Sequence, residues 1–373
     1  MEAKAGSVKR LAVLLAAALA ITVAGCGHPL IPSDPVNPKT AASAGTSEWP
    51  VLGKSNPVLG VDLYALDNYT PAEVRADGQR TLSYIKNVLK ANAVGFVWNF
   101  YAPSATSDVV ESTHSTLSFG NLRILTKIAI QDHLLVEYRP LILVLNSPSN
   151  WEGQISPLPE ETWFNNYYRV ELPYLKLAQQ LRVPEFVTGT ELEQLNDSYL
   201  WPSFFARVAQ VYHGVISYGA WDGNYFGAQP GMSFQKATPQ LLPVKYVGMD
   251  MYWHMNLQTD ATSAEVTAAW ESLFDKAPAS VLRRTAIDET GIQAGDGAYS
   301  NPQNLGQPSS LNAQVQANWF AAACATVQRY HMRGVFFFKV DLTDNPAHPA
   351  LSLSTFEGRA GARAISKCAR TLR

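Results

Sequence analysis

Eight short apolar runs, separated by helix-like stretches, limit what this chain can fold into more than any other feature. They are GVDLYAL (60–66), AVGFVWNF (93–100), LLVEYRPLILVL (134–145), EFVTGTEL (185–192), GVISYGAW (214–221), YVGMDMYW (246–253), RTAIDETG (284–291) and GVFFFKVDL (334–342). Near-continuous apolar strands alternating with helices are what a parallel sheet buried under helices produces. Eight of them favour a closed (β/α)8 TIM barrel, an α/β fold, over an open doubly wound sheet. No Gly-rich phosphate loop follows the first run, which counts against a dinucleotide fold. The barrel is expected over residues 56–373 as a single domain, and helix starts support the register. Thr70-Pro71-Ala72-Glu73 and Thr262-Ser263-Ala264-Glu265 each read as a capping box. Pro173 is expected to kink or break the helix over 163–182.

Composition narrows the function. Hydrophobic residues make up 47% and charged residues 16%, enough for a large core and against disorder. With a formal charge of −2 and no basic patch, nucleic acid is not an expected partner. Residues 1–25 read as a targeting segment, in which Lys4, Lys9 and Arg10 precede an apolar run too short for a transmembrane helix. Val23-Ala24-Gly25-Cys26 resembles the bacterial lipobox, which implies cleavage before Cys26 and a lipid on its thiol. The alternative is an ordinary secretory signal with an incidental cysteine. Either way the mature protein is expected outside the cytoplasm, and on the first reading it is lipid-anchored to the bacterial cell membrane. Residues 26–55 are rich in Pro, Ser, Ala and Gly and read as a flexible tether.

Cys324 and Cys368 fall on the helices before and after the last strand, which are neighbours in a barrel. A disulfide and a pair of buried thiols both remain open, and an oxidising compartment favours the bridge. No Cys/His cluster has ligand spacing, so neither a metal nor a cofactor is expected. The protein is read as a monomer.

The chemistry is carried by two glutamates. Glu191 and Glu289 each stand at the C-terminal end of an apolar run. They are roughly 100 residues apart, which suits three strand-plus-helix units of about 30 residues each. In a barrel both would then face the mouth where active sites sit. Two facing carboxyl groups are the minimum equipment for glycosidic cleavage, one as acid and one as base or nucleophile. No G-x-S-x-G elbow supports a serine hydrolase. Glu193 is the second choice should Glu191 fail, and Asp288 is expected to point away from Glu289 if its strand is regular.

These features resemble the clan A glycoside hydrolases, (β/α)8 barrels with the acid/base glutamate ending the fourth strand and the nucleophile the seventh. Within the clan the chain is most similar to glycoside hydrolase family 113, whose characterised members are β-mannanases. The similarity lies in Gly189-Thr190-Glu191-Leu192, Asp288-Glu289-Thr290-Gly291 and the loop Trp151-Glu152-Gly153-Gln154-Ile155-Ser156-Pro157, followed by Trp163-Phe164 and Tyr167. The resemblance implies Glu191 as acid/base, Glu289 as nucleophile, retention of configuration and a carbohydrate substrate, with β-1,4-mannan leading. The chain departs from the clan at Thr190, usually Asn, and at Phe336-Phe337-Phe338-Lys339, where the last strand usually ends in Trp. Tyr252 sits where the clan often has a tyrosine bonding the nucleophile; an ordinary core aromatic is the alternative. Trp98, Asn99, Trp151, Trp221, Asp222, Tyr252, Trp253 and Lys339 are the expected substrate contacts, since aromatic faces pack on sugar rings while polar neighbours bind hydroxyls. Asp62, Tyr64, Arg139 and Asp341 are further candidates. Two other functions stay open: a noncatalytic glycan-binding lipoprotein, and a hydrolase of another β-glycan of the cell envelope.

Overall fold

The computed structural model describes residues 50–372 except 55, 227–243, 304–309, 350 and 351. The signal segment, the lipobox with Cys26 and nearly all of the tether lie outside the described residues. The eight strands are β1 (Val58–Ala65), β2 (Ala93–Ala102), β3 (Leu135–Val144), β4 (Glu185–Thr190), β5 (Val215–Trp221), β6 (Val247–Asp250), β7 (Thr285–Thr290) and β8 (Gly334–Asp341). They pair in parallel, each with the next, and β8 returns to β1 to close the barrel. The helices are α1 (Pro71–Asn87), α2 (Phe119–Gln131), α3 (Glu160–Leu181), α4 (Trp201–Ala209), α5 (Asp222–Phe226), α6 (Ser263–Phe274), α7 (Ala279–Leu282), α8 (Ala313–Tyr330) and α9 (Ala360–Thr371). The expected (β/α)8 barrel is the fold observed.

The local signals act as their chemistry requires. Thr70 and Thr262 each accept a hydrogen bond from the glutamate three residues on, and each glutamate reaches back to the cap. α3 runs through Pro173 without a break. A disulfide joins Cys324 of α8 to Cys368 of α9, with the Cα atoms 5.7 Å apart. It closes a loop of 44 residues, which constrains the unfolded chain by roughly 4 kcal/mol on a chain-entropy basis.

Between strands and helices the core is aromatic, whereas the barrel interior is charged. Asp62 of β1, Glu137 and Arg139 of β3, Glu185 of β4, Asp250 of β6 and Asp288 of β7 are all buried. They come from five strands yet act on one another electrostatically, as inward-facing groups do. Two glycines make room for them. A Cβ at Gly95 would lie 2.3 Å from Asp62 Oδ1, and one at Gly248 would lie 1.7 Å from Asp288 Oδ2. Arg333, just before β8, spans the barrel floor to form a two-pronged ion pair with Glu185 at the start of β4. Such a fork supplies geometry as well as attraction.

Burial pushes the Asp62, Glu137 and Asp288 carboxyls well above the usual range, against the pull of Arg139. A carboxyl raised in this way keeps its proton in the folded barrel at a pH where the unfolded chain has lost it. Stability therefore falls as pH rises above the unfolded value, by about 1.4 kcal/mol per pH unit for each retained proton. Asp62→Asn, a stand-in for the neutral form, is expected to make stability fall less steeply as pH rises above the unfolded carboxylate value of about 4. Urea titrations across that range test this; an unchanged slope would mean Asp62 is ionised in the fold.

Candidate active site

Glu191 follows β4 in a left-handed conformation, with φ of 47°. A non-glycine residue pays strain there, and such outliers gather at functional sites when neighbours fix them. The fixing is visible. The Glu191 N–H donates to Gly219 O of β5 at 2.8 Å, and the Glu191 carbonyl accepts from Glu193 N at 2.8 Å. Leu192 N–H donates to Tyr218 Oη at 2.9 Å, and Tyr218 in turn donates to Asn196 Oδ1 at 2.7 Å. The carboxyl meets Trp151, whose indole Nε1 donates to Glu191 Oε2 at 2.5 Å. Burial pushes this carboxyl well above its ordinary range, and the nearby Asp250, Glu152 and Glu289 raise it further.

Glu289 has different surroundings. Tyr252 Oη donates to its Oε1 at 2.6 Å, and Arg139 Nη2 lies 3.2 Å from its Oε2. Arg139 is fully buried and is itself fixed, donating to Asp250 Oδ2 at 2.5 Å and to the Asp288 carbonyl at 2.7 Å. Tyr252 is placed by its backbone, whose N–H donates to Asp222 Oδ2 at 2.7 Å. The β6–β7 pairing slips at this point, so that Asp250 aligns with Glu289. The slip corrects the expectation for Asp288: the strand is irregular, and Asp288 turns into the barrel interior among Glu185, Arg139 and Asp250.

Both glutamates line one cavity of about 510 Å³. Trp151 and Trp221 stand edge to face at 6.2 Å on its wall, and Tyr252, Phe338 and Lys339 also line it. Each tryptophan is followed two residues later by a glycine that gives it space. A Cβ at Gly153 would come within 2.2 Å of the Trp151 ring, and one at Gly223 within 2.3 Å of Trp221. Lys339 pairs with Asp341 and lies 4.5 Å from the Tyr64 ring centre.

The remaining expected contacts are placed elsewhere. Trp98 is fully buried outside the barrel wall, stacked on Tyr174 at 4.9 Å, and packs the core. Alternation explains it: Asn99 turns inward and accepts from Tyr64 Oη at 2.6 Å, so its neighbour must turn outward. Asn99 and Asp222 are buried and hold Tyr64 and Tyr252, respectively, without lining the cavity. Trp253 is half-buried against Phe226, with ring centres 5.8 Å apart. Glu193 is buried in the turn after Glu191 and is likewise off the cavity.

Sequence reasoning missed Asp250 and Glu152. Burial pushes Asp250 up to about 7, with Arg139 opposing, and Glu152 up to about 8. It also missed Asp344 and Glu357, which line the cavity from the segment after β8. The arrangement is chemically asymmetric. One carboxyl has a cation and a phenol to stabilise its charge, while the other is buried beside further carboxyls with one neutral donor. Such a pair separates into a charged partner and a proton donor.

Solved structures share the architecture. A family 113 β-1,4-mannanase superimposes with a TM-score of 0.70 at 16% identity, covering 84% of this chain and 99% of that one. A family 113 β-mannanase from Alicyclobacillus acidocaldarius, in complex with ManMIm, gives 0.67 at 15% identity, covering 86% and 100%. A family 5 mannosidase from Rhizomucor miehei gives 0.52 at 9% identity, covering 86% and 94%. At these identities the likeness establishes the fold. Among curated protein sequences none matches the chain. The sequence profile of Glycoside Hydrolase Family 113 matches residues 79–352, most of the chain and both glutamates. The chain belongs to glycoside hydrolase family 113.

Proposed function

We propose that this protein is a retaining glycoside hydrolase that cleaves a β-linked polysaccharide or oligosaccharide, with β-1,4-mannan as the leading substrate. The observation that carries the reading is the contrast between Glu191 and Glu289 within one cavity. Glu289, beside Arg139 and Tyr252, is the nucleophile that attacks the anomeric carbon. Glu191, kept protonated by burial, gives its proton to the departing glycosidic oxygen. Once the leaving group is gone, Glu191 takes a proton from water, which releases the sugar from Glu289 with its configuration retained. Trp151, Trp221 and Phe338 supply apolar faces for sugar rings, and Lys339 a polar contact. The mannan preference rests on the family and on the β-mannanases that share the fold.

Glu191→Gln is expected to lower kcat on manno-oligosaccharides by about 10²–10⁴-fold while leaving binding measurable. Glu289→Gln should abolish turnover. NMR of the fresh product should show the β-anomer, and carboxyl oxygens about 5–5.5 Å apart are expected in a crystal structure. An α-anomeric product would overturn retention. Glycan binding with no hydrolysis, unaffected by Glu191→Gln, would make the protein a binding module; cleavage confined to envelope glycan would move the substrate.

The Trp151 bond favours the ionised form of Glu191, so removing it raises the carboxyl further. Trp151→Phe is therefore expected to move the alkaline limb of the kcat–pH profile to higher pH while lowering the maximum. An unmoved limb would deny Trp151 that role.

We also propose that the chain is anchored outside the cytoplasm through a lipid on Cys26, which its lipobox-like setting supports. Labelling with radioactive palmitate should mark the protein and fail with Cys26→Ser; equal labelling of both would remove the anchor.

A further inference from the structure

The cavity wall formed by the end of β8 and the segment after it takes no part in the bond-breaking steps above. In a closed ring of eight strands β8 lies opposite β4, so this wall faces Glu191 across the mouth. It carries Lys339, Asp341, Asp344, Ser354 and Glu357.

Its backbone is held from outside. Arg80 of α1 donates to the Asp344 carbonyl at 2.9 and 3.1 Å. Arg359 donates to the carbonyls of Ser352 at 2.6 Å and Thr355 at 2.8 Å, and Gln316 to that of Ser354 at 3.3 Å. Two guanidinium groups and an amide thus fix the segment before any ligand arrives.

The carboxyls on this wall are underused. Glu357 is 1% exposed, and neither of its carboxyl oxygens has a partner at normal hydrogen-bond geometry. The backbone N–H groups of Glu357 and Phe356 and the Asp344 carboxyl lie close enough to affect its protonation. Burial pushes it up to about 7, and Asp344 and Asp341 raise it further. Asp344 is half-buried; its Oδ2 accepts from Asp341 N–H at 2.9 Å, which leaves it lone pairs to offer. Open lone pairs on a half-buried carboxyl at a cavity wall can accept from ligand hydroxyls.

We propose that Asp344, positioned by Glu357 and flanked by Lys339, is a subsite that grips hydroxyl groups of a neutral sugar on the glycone side of the cleavage point. The inference rests on the roles given to Glu191 and Glu289 under Proposed function. Glu191 protonates the leaving oxygen, so the departing half of the substrate lies on its side of the mouth. The half held beyond Glu289, toward β8, keeps the anomeric carbon. Asp344 accepts from adjacent hydroxyls of that half, and Lys339 donates to a neighbouring oxygen. Glu357 stands beside Asp344 and acts through it.

Nitrophenyl β-mannobioside and β-mannotrioside test the subsite, because their leaving group is constant and only the glycone varies. Losing a hydrogen bond to a charged group predicts an about ten- to hundredfold rise in KM for Asp344→Ala, with a smaller change in kcat. Glu357→Gln is expected to raise KM on the same substrates, and the double variant to add little to Asp344→Ala, as one residue acting through another requires. Unchanged KM in a folded Asp344→Ala, or additive effects in the double variant, would overturn the proposal. If Asp344→Ala fails to fold, Asp344→Asn is read by the same criterion. Should the parent protein cleave neither glycoside, the catalytic reading fails on its own. Calorimetry with mannotetraose then still reports on the wall: weaker binding to Asp344→Ala supports it and equal binding removes it.

Discussion

The buried Arg139 guanidinium ties the site to the barrel. It reaches from β3 to Asp250 on β6 and to the Asp288 carbonyl and Glu289 carboxylate on β7, strands that lie across the interior. A cation so far from water persists only with matched partners, because its desolvation cost is several kcal/mol. The same contacts that offset that cost aim Glu289 at the mouth. Among the described residues, Arg139 and Arg333 are the buried cations beside five interior carboxyls from Asp62, Glu137, Glu185, Asp250 and Asp288, and burial pushes the carboxyls of Asp62, Glu137 and Asp288 well above their ordinary range.

Departures from regular geometry place Glu191 and Glu289. β4 slips against β5 before Glu191, and β7 slips against both neighbours around Asp288 and Glu289. A regular strand would send adjacent side chains to opposite faces. The slips allow Asp288 to enter the interior while Glu289 enters the cavity. At Glu191 a left-handed residue performs the same redirection, held by bonds to Gly219 and Glu193. Local irregularity has been spent where side chains must be aimed, as bulges near active sites commonly do.

The loop after β3 ties the cavity wall to Glu191. Trp151 belongs to that wall and also donates to Glu191, so a ligand that moves the indole changes the environment of this carboxyl. Gly153 allows this approach because any side chain there would collide with the ring. The repeated Trp-x-Gly spacing at Trp151 and Trp221 is a signal present in the sequence whose meaning appears only once both rings are seen at one cavity.

The sequence by itself determined the barrel and the positions of Glu191 and Glu289 at strand ends. Periodicity and capping chemistry are local, and eight buried parallel strands have few ways to cover their edges. The two-residue alternation also made Asn99 and Trp98 face opposite ways, although which faced the interior was not legible. The tertiary structure alone decided the partners Arg139 with Asp250 and Glu289, and Trp151 with Glu191; it also closed the Cys324–Cys368 bridge that the sequence favoured. It also brought Asp344 and Glu357, from a segment that reads as an ordinary loop, to the wall opposite Glu191. Protonation and contact depend on what converges in space, and residues far apart in the chain acquire their chemistry only when the ring closes.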